Sequence, residues 1–160
     1  MQTKYKVPPD VRHVVLGYVS GYRRLKQWYK DARGDILYGS GRGYDEYTTE
    51  GGETARSYVS GGSGVGDITA RQAAKLEQLE RHHNVKVVRA IEQARADVTA
   101  EVEDQRSRDR IGAALIWSCE RGRGHKRFVF ERAGLPMGCG SFYRMRAKFI
   151  WQIAKAMDML

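Results

Sequence analysis

The chain has 160 residues, with 28 Lys and Arg against 19 Asp and Glu, so its formal net charge is +9. This length suits one domain, or one domain with a small appendage. No apolar run approaches the ~20 residues of a membrane span, and the N-terminus lacks the apolar core of a signal peptide. Two cysteines are too few for a disulfide scaffold. We therefore expect a cytoplasmic protein with reduced thiols and exclude the membrane and disulfide-rich secreted classes.

Residues 1–37 are predicted to form a basic N-terminal helix. Apolar residues recur at helical spacing from Val11 to Tyr29, and Asp10 is a candidate N-cap after two prolines. Gly17 and Gly21 weaken this helix or let another element pack closely against it. The opposite face is basic, and it is either simply solvated or in contact with a DNA backbone.

Residues 38–66 are predicted to be a flexible linker, because they hold nine of the eighteen glycines and few apolar residues. The glycine clusters lack the Gly-Lys-Ser/Thr ending of a phosphate-binding loop, so we expect no nucleotide cofactor. Tyr44, Tyr47 and Tyr58 are spaced aromatic residues of this linker, and they either contact a partner or are simply exposed.

Residues 67–106 are predicted to form a long helix for packing or oligomerisation. Its apolar stripe runs from Ala70 to Val102 at three- and four-residue spacing. The His82-His83-Asn84 segment either breaks the helix or continues it. An unbroken helix would span ~60 Å at ~1.5 Å per residue and would need a partner along its stripe. That partner is the N-terminal helix or the same helix of a second subunit. A homodimer or a higher homo-oligomer is the expected state, since a dimer would suit a DNA-binding protein that reads a two-fold site.

Residues 107–160 are predicted to form a three-helix unit with a helix-turn-helix. The first helix opens at Ser107 or Asp109, and a short second helix contains Phe128, Val129 and Phe130. Gly134 and Pro136 end that second helix, because Pro cannot sit inside a helix and Gly tolerates the left-handed conformation just past a helix end. The third helix starts near Gly138. Trp117 and Trp151 are expected to be core anchors.

The third helix is the predicted DNA-recognition element. Its buried stripe is predicted at Phe142, Met145, Phe149, Ile153 and Met157. In the helix-turn-helix docking mode, side chains near the N-terminus of this helix meet base edges while neighbouring residues hold phosphates. The predicted DNA-binding residues are Gly140, Ser141, Tyr143, Arg144, Arg146, Lys148, Lys126 and Arg127.

The charge distribution favours this interpretation over an ordinary helical bundle with a solvated basic face. Residues 105–160 contain twelve Lys and Arg against four Asp and Glu, a net charge of +8. Nearly all of the excess positive charge therefore lies in the segment that carries the motif. Clustered positive charge is typical of phosphate binding.

Other chemistry has little support in the sequence. Cys119, His125 and Cys139 match no regular zinc-site spacing and number three rather than four. There is no nucleophile elbow and no pair of carboxylates with motif spacing. We therefore predict a protein that is not an enzyme and that holds neither metal nor cofactor.

The segment from Met137 to Ile150 resembles the recognition helix of phage-encoded, sigma-region-4-like regulators of the RinA and ArpU type. The layout is similar as well, with a basic N-terminal helix, a Gly-rich gap near Thr48 to Gly52, a long charged helix and a C-terminal helix-turn-helix. Gly138 stands where the family has Ser, and Cys139 with Gly140 replaces polar or basic residues. The resemblance implies a transcription regulator of phage or prophage late genes in the cytoplasm of a bacterial host. It leaves open a contact with bacterial RNA polymerase.

The predicted fold class is accordingly all-α, and the predicted function is sequence-specific binding of double-stranded DNA. Two alternative functions are also compatible with the sequence. One is a phage DNA-packaging subunit of the small-terminase kind, which would form a closed ring rather than a dimer. The other is a phage protein that binds and inhibits a host nucleic-acid enzyme, its basic face meeting an acidic protein surface.

Overall fold

A computed structural model describes residues 4–38, 44–48, 51–58, 70–121 and 134–160. They form six helices and one two-stranded hairpin. The elements are α1 (Pro9–Ser20), α2 (Tyr22–Tyr38), β1 (Tyr44–Thr48), β2 (Thr54–Tyr58), α3 (Ala70–Glu80), α4 (His83–Thr99), α5 (Gln105–Glu120) and α6 (Cys139–Ala156). The predicted helical class is confirmed, with the hairpin as an exception. None of the described helices combines the length and apolarity needed to cross a membrane.

The chain divides into two compact units. One comprises Met1–Tyr22 together with Val87–Leu160, and the other comprises Arg23–Lys86. The first unit thus joins α1 to the segment predicted as a separate helix-turn-helix domain.

In the first unit, α1 packs against both α5 and α6. Val15 and Val19 of α1 are fully buried. They lie four residues apart and therefore share one face of the helix. The fully buried large side chains of the other helices in this unit are Val87, Ile91, Ile111, Leu115, Phe142, Phe149 and Ile153. The core of this unit therefore draws on all four of its helices.

The predicted N-terminal helix is divided at Gly21, which separates α1 from α2. Pro9 occupies the first turn of α1, where its missing N–H costs nothing, and Asp10 lies inside that turn rather than at the cap. The Gly21 N–H donates to the carbonyl of Gly17 at 3.1 Å. Gly21 is thus the C-cap of α1.

The Arg95 side chain of α4 packs over Gly112 of α5. A Cβ atom at Gly112 would lie 2.7 Å from Cδ of Arg95, so a side chain at this position of α5 would displace the Arg95 stem. Arg108 of α5 secures the connection between these helices, donating to the carbonyls of Val102 and Ala100. These bonds satisfy carbonyls that follow the end of α4.

Helix α5 begins at a cap that differs from the predicted one. Asp104, rather than Ser107 or Asp109, is the N-cap residue. Its Oδ2 accepts the Ser107 N–H at 2.8 Å and the Ser107 hydroxyl at 2.7 Å. These bonds hold the pKa of Asp104 below its ordinary value of 3.8, since they stabilise the charged carboxylate.

The predicted long helix is interrupted at Arg81 and His82, so α3 and α4 are separate helices. The His82 carbonyl accepts the N–H of Val85 at 3.0 Å, and its Nδ1 accepts the N–H of Asn84 at 3.1 Å. The imidazole therefore serves as an N-cap for α4, a role usually played by Ser, Thr, Asp or Asn. The imidazole accepts the Asn84 N–H in place of a carbonyl of the preceding turn, which explains why α3 and α4 are not one continuous helix.

The second unit contains α2, the hairpin and α3. Gln72 of α3 donates to the carbonyls of Ile36 and Leu37 at 3.3 and 3.2 Å, which serves acceptors in the last turn of α2. The Tyr29 hydroxyl donates to the Glu80 carboxylate. These contacts join the two helices of this unit through polar groups, and no residue of α3 is fully buried.

The hairpin lies in the segment predicted as a flexible linker. Strands β1 and β2 pair antiparallel, with Tyr44 opposite Tyr58 and Thr48 opposite Thr54. Tyr and Thr favour strands, and Gly52 in the connection has a φ of +76°, which suits glycine. The predicted linker thus contains a hairpin that its glycine-rich composition does not indicate, because the strand-favouring residues lie in short runs between the glycines.

Candidate nucleic-acid interface

Gly134, which precedes α6, has the backbone conformation that the sequence predicts for it. Gly134 has a φ of +55°, the left-handed conformation expected of a residue just past a helix end. Gly138 is the N-cap of α6, with extended backbone and no side-chain hydrogen bond to the first turn. Cβ atoms built on Gly138 and Gly140 meet nothing within 4 Å. No part of the described chain thus covers the N-terminal end of α6.

The buried face of α6 is rotated slightly from the predicted stripe. Phe142, Phe149 and Ile153 are fully buried, as predicted. Met145 and Met157 are only half-buried. The buried face is completed by Arg146, Ile150 and Ala154.

A second stripe runs along the opposite side of α6. Ser141, Arg144 and Lys155 are exposed, while Lys148 and Gln152 are half-exposed. These five residues, which we call the outer stripe, recur every three or four positions and therefore share one face. Since α6 contains no Asp or Glu, the outer stripe has a positive charge without internal neutralisation.

Lys155 was missing from the predicted interface although the sequence contained a signal for it. It follows Lys148 by seven residues, which places both on the same side of a helix. Its ammonium also lies 5.2 Å from the centre of the Trp151 ring. We therefore add Lys155 to the candidate interface.

The structure corrects the predicted position of Arg146, which was placed on the solvent-facing side. The residue is 7% exposed. Its Nε donates to the Ser118 hydroxyl at 3.1 Å, and its Nη2 lies 3.5 Å from the Ser118 carbonyl oxygen. Arg146 lies four residues after Phe142 and three before Phe149, so helical geometry directs it to the buried face. Arg146 therefore links α6 to α5 and does not belong to the outer stripe.

Tyr143 also points away from the outer stripe. It lines a cleft of about 230 Å³ together with Arg146, Arg12 and four further residues, Tyr5, Val7, Ala147 and Ile150. Burial raises the pKa of the Tyr143 hydroxyl, so this group stays protonated at neutral pH.

Cys119 is buried close to the same arginines. Burial raises the pKa of its thiol, and the positive charges of Arg146 and Arg12 oppose this rise only in part. Cys139, by contrast, is exposed at the start of α6, and both cysteines are free. Cys119 is thus a protonated core residue rather than an activated nucleophile.

The remaining predicted residues have different outcomes. Gly140 is exposed in the first turn of α6. Lys126, Arg127 and the predicted short helix around Val129 lie outside the described residues.

Trp117 and Trp151, expected as core anchors, are half-buried rather than enclosed. Arg121 lies 4.7 Å from the centre of the Trp117 ring, and Tyr5 packs against Trp151 with ring centres 5.5 Å apart. Both indoles therefore cover the core from its edge.

Metal binding has no support among the described residues, where no group of three or more His, Cys, Asp or Glu is arranged to hold an ion.

Comparison of the chain with protein-family models, with curated proteins and with solved structures gave no match. The interpretation of the site consequently depends on its own geometry.

Proposed function

We propose that this protein binds double-stranded DNA in a sequence-specific manner and regulates transcription, with α6 in the major groove. The observation that carries the proposal is the outer stripe of α6. Arg144, Lys148 and Lys155 lie opposite the buried face of a helix that contains no acidic residue. Such a helix can approach a polyanion without displacing any part of its own core.

The N-terminal end of α6 suits contact with base edges. Its small residues leave the first turn open, and Ser141 and Arg144 are exposed within about one turn of that end. The guanidinium fork of Arg matches the two acceptors of guanine in the major groove, and Ser accepts or donates to several bases. Arg144 is therefore the proposed base-reading residue.

The later part of the outer stripe suits contact with phosphates. Lys155 follows Arg144 by eleven residues, which corresponds to about 16 Å along a helix. Lys148 and Lys155 would hold the backbone and fix the register of the helix on the duplex. Their contribution is expected to depend on salt and to be independent of sequence.

The biological setting of this proposal rests on the resemblance to phage-encoded RinA- and ArpU-type regulators. It comprises phage or prophage genes, the cytoplasm of a bacterial host, a homodimeric state and a contact with RNA polymerase. A dimer would read a two-fold related site, with half-sites about 34–36 Å apart.

The experiment that tests the proposal is selection from a random duplex pool, followed by affinity measurements on the purified full chain at several salt concentrations. One enriched site, with affinity that falls steeply as salt rises, is the expected result. Salt-sensitive binding without an enriched site would contradict sequence-specific regulation and favour DNA packaging. An absence of binding at low salt would overturn DNA recognition and favour a protein partner.

Light scattering on the same sample separates the two DNA-binding alternatives by mass. A dimer agrees with a regulator, whereas a closed ring of many subunits agrees with a small-terminase-like packaging component.

A further inference from the structure

The cleft beside α6 contains a charge that the described protein does not neutralise. Arg146 uses its Nε and Nη2 on a single neutral residue, Ser118. No carboxylate of the described residues forms an ion pair with it. Taking a guanidinium out of water is costly unless an opposite charge or a full set of acceptors replaces the solvent. With five N–H donors, Arg146 keeps hydrogen-bonding capacity that Ser118 does not use.

The rest of the lining adds a second cation from a different helix. Arg12 belongs to α1 and Arg146 to α6, and both line the same cleft of about 230 Å³. The two arginines also act together on the pKa of the Cys119 thiol, which each of them lowers. Because α1 packs on α6, the fold brings one arginine from each helix to the lining of the same cleft.

The shape and polarity of the cleft limit what can occupy it. Five of the seven lining residues are only half-buried, so the cleft opens to solvent while Arg146 lies at its enclosed side. Its volume is below the ~300–1,000 Å³ of sites for drug-sized ligands. Tyr5, Tyr143 and Val7 offer apolar and aromatic surface beside the two charges. Paired guanidinium groups recognise planar carboxylates and tetrahedral phosphates.

We propose that this cleft is a binding site for a small oxyanion, a phosphate or carboxylate group attached to a small apolar or aromatic part. The anion accepts hydrogen bonds from Arg146 and Arg12 and neutralises the buried charge. The site is distinct from the outer stripe, and it does not depend on DNA binding.

The first test uses the unaltered protein and two probes, inorganic phosphate and phenyl phosphate. NMR spectra that resolve arginine Nε–Hε groups should show a saturable shift of the Arg146 signal with each probe. Phenyl phosphate should bind more tightly, since its ring gains contact with the tyrosines and Val7. An Arg146 signal that does not move, or moves linearly without saturation, would overturn the proposal.

The second test compares two substitutions that remove one positive charge each. Arg12→Gln should weaken phenyl phosphate binding about tenfold or more, the scale of a lost hydrogen bond to a charged group. Lys155→Gln removes an exposed charge of α6 that lies outside the cleft, and it should leave this affinity unchanged. Equal weakening by both variants would show a diffuse charge effect and contradict a built site.

Measuring duplex DNA binding with the same variants distinguishes two sources of the oxyanion, a free small molecule and a DNA backbone phosphate. A free small molecule is the source if Arg12→Gln weakens phenyl phosphate binding alone and Lys155→Gln weakens DNA binding alone. A DNA backbone phosphate is the source if Arg12→Gln weakens both and phenyl phosphate displaces the duplex. Both results agree with an oxyanion site in the cleft. The titration with inorganic phosphate and phenyl phosphate tests this site even if the protein does not bind DNA.

Discussion

Arg144 and Arg146 are two positions apart in α6 and have opposite surroundings. Arg144 is exposed on the outer stripe, whereas Arg146 is buried and bonded to Ser118. Each residue advances the helix by about 100°, so two positions carry a side chain to the far side. The same residue type therefore has two separate roles in one helix.

Arg144→Ala should weaken binding to the selected DNA site by about 1–3 kcal/mol, because a base-reading guanidinium would be lost. Binding to random duplex should change far less. The measurement is affinity for both duplexes at one fixed salt concentration, and Arg71→Ala provides a matched control, since Arg71 is exposed on α3. Equal losses on both duplexes would show that Arg144 holds phosphate only.

Asp104 predicts a pH dependence at the start of α5. Its pKa is lowered in the folded chain by the bonds from Ser107, so its stabilising effect is present above the ordinary value of 3.8. That effect is lost as the pH falls through the lower, folded value. Asn caps helices as well as Asp does but does not titrate in this range.

The test is the melting temperature of the wild type and of Asp104→Asn between about pH 6 and about pH 2. The wild type should lose more stability than the variant at the acid end. A constant difference between the two proteins over this range would show that the Asp104 carboxylate is not selectively stabilised by folding.

At the scale of the element, α6 is an amphipathic helix with two functional faces and no side-chain cap. Its buried face contacts α1, and its outer stripe stays free of acidic residues. The N-cap residue is Gly138, so the first turn lacks the side-chain hydrogen bond with which a Ser or Thr cap would stabilise the helix. Most of the stability of α6 must therefore come from packing of its buried face.

Phe142→Ala should lower the free energy of unfolding by about 3–5 kcal/mol, because it removes a fully buried ring from the core. Met145→Ala is the matched control on the same helix, and its effect should be smaller, since Met145 is half-buried. Denaturant unfolding measures both. Equal losses would show that the buried face lies where the sequence pattern placed it rather than where the structure does.

At the scale of the whole molecule, the proposed DNA-binding segment is not an isolated C-terminal part. The compact unit that contains α5 and α6 also contains α1 and most of α4. Helix α1 contacts both α5 and α6, and it supplies the buried Val15 and Val19. The core beneath the outer stripe thus depends on residues far away in sequence.

A fragment of residues 105–160 should consequently fail to fold cooperatively, although it carries nearly all of the excess positive charge. Without α1 and α4, its buried apolar side chains would face water, and small cores of this size are marginal even when complete. Thermal unfolding followed by circular dichroism should give a broad transition for the fragment and a sharp one for the full chain. A sharp transition of the isolated fragment would contradict the shared core.

The sequence by itself determined the helical class, the left-handed turn at Gly134, the start of α6 near Gly138 and the burial of Phe142, Phe149 and Ile153. These features follow from local rules, since glycine, proline and helical periodicity act over a few residues. The exact points at which α4 and α5 begin were harder to predict from the sequence. They depend on the side chains of His82 and Asp104, which accept backbone N–H groups in place of helical carbonyls.

Only the tertiary structure decided that Arg146 is buried, that Arg12 joins it in one cleft and that α1 belongs with the C-terminal helices. A charged residue is normally assigned to the surface, and its burial depends on a partner elsewhere, here Ser118 in α5. No periodicity within one helix can reveal such a partner. Long-range packing selects which of the positions permitted by the local pattern face the core, because burial is a property of two surfaces in contact.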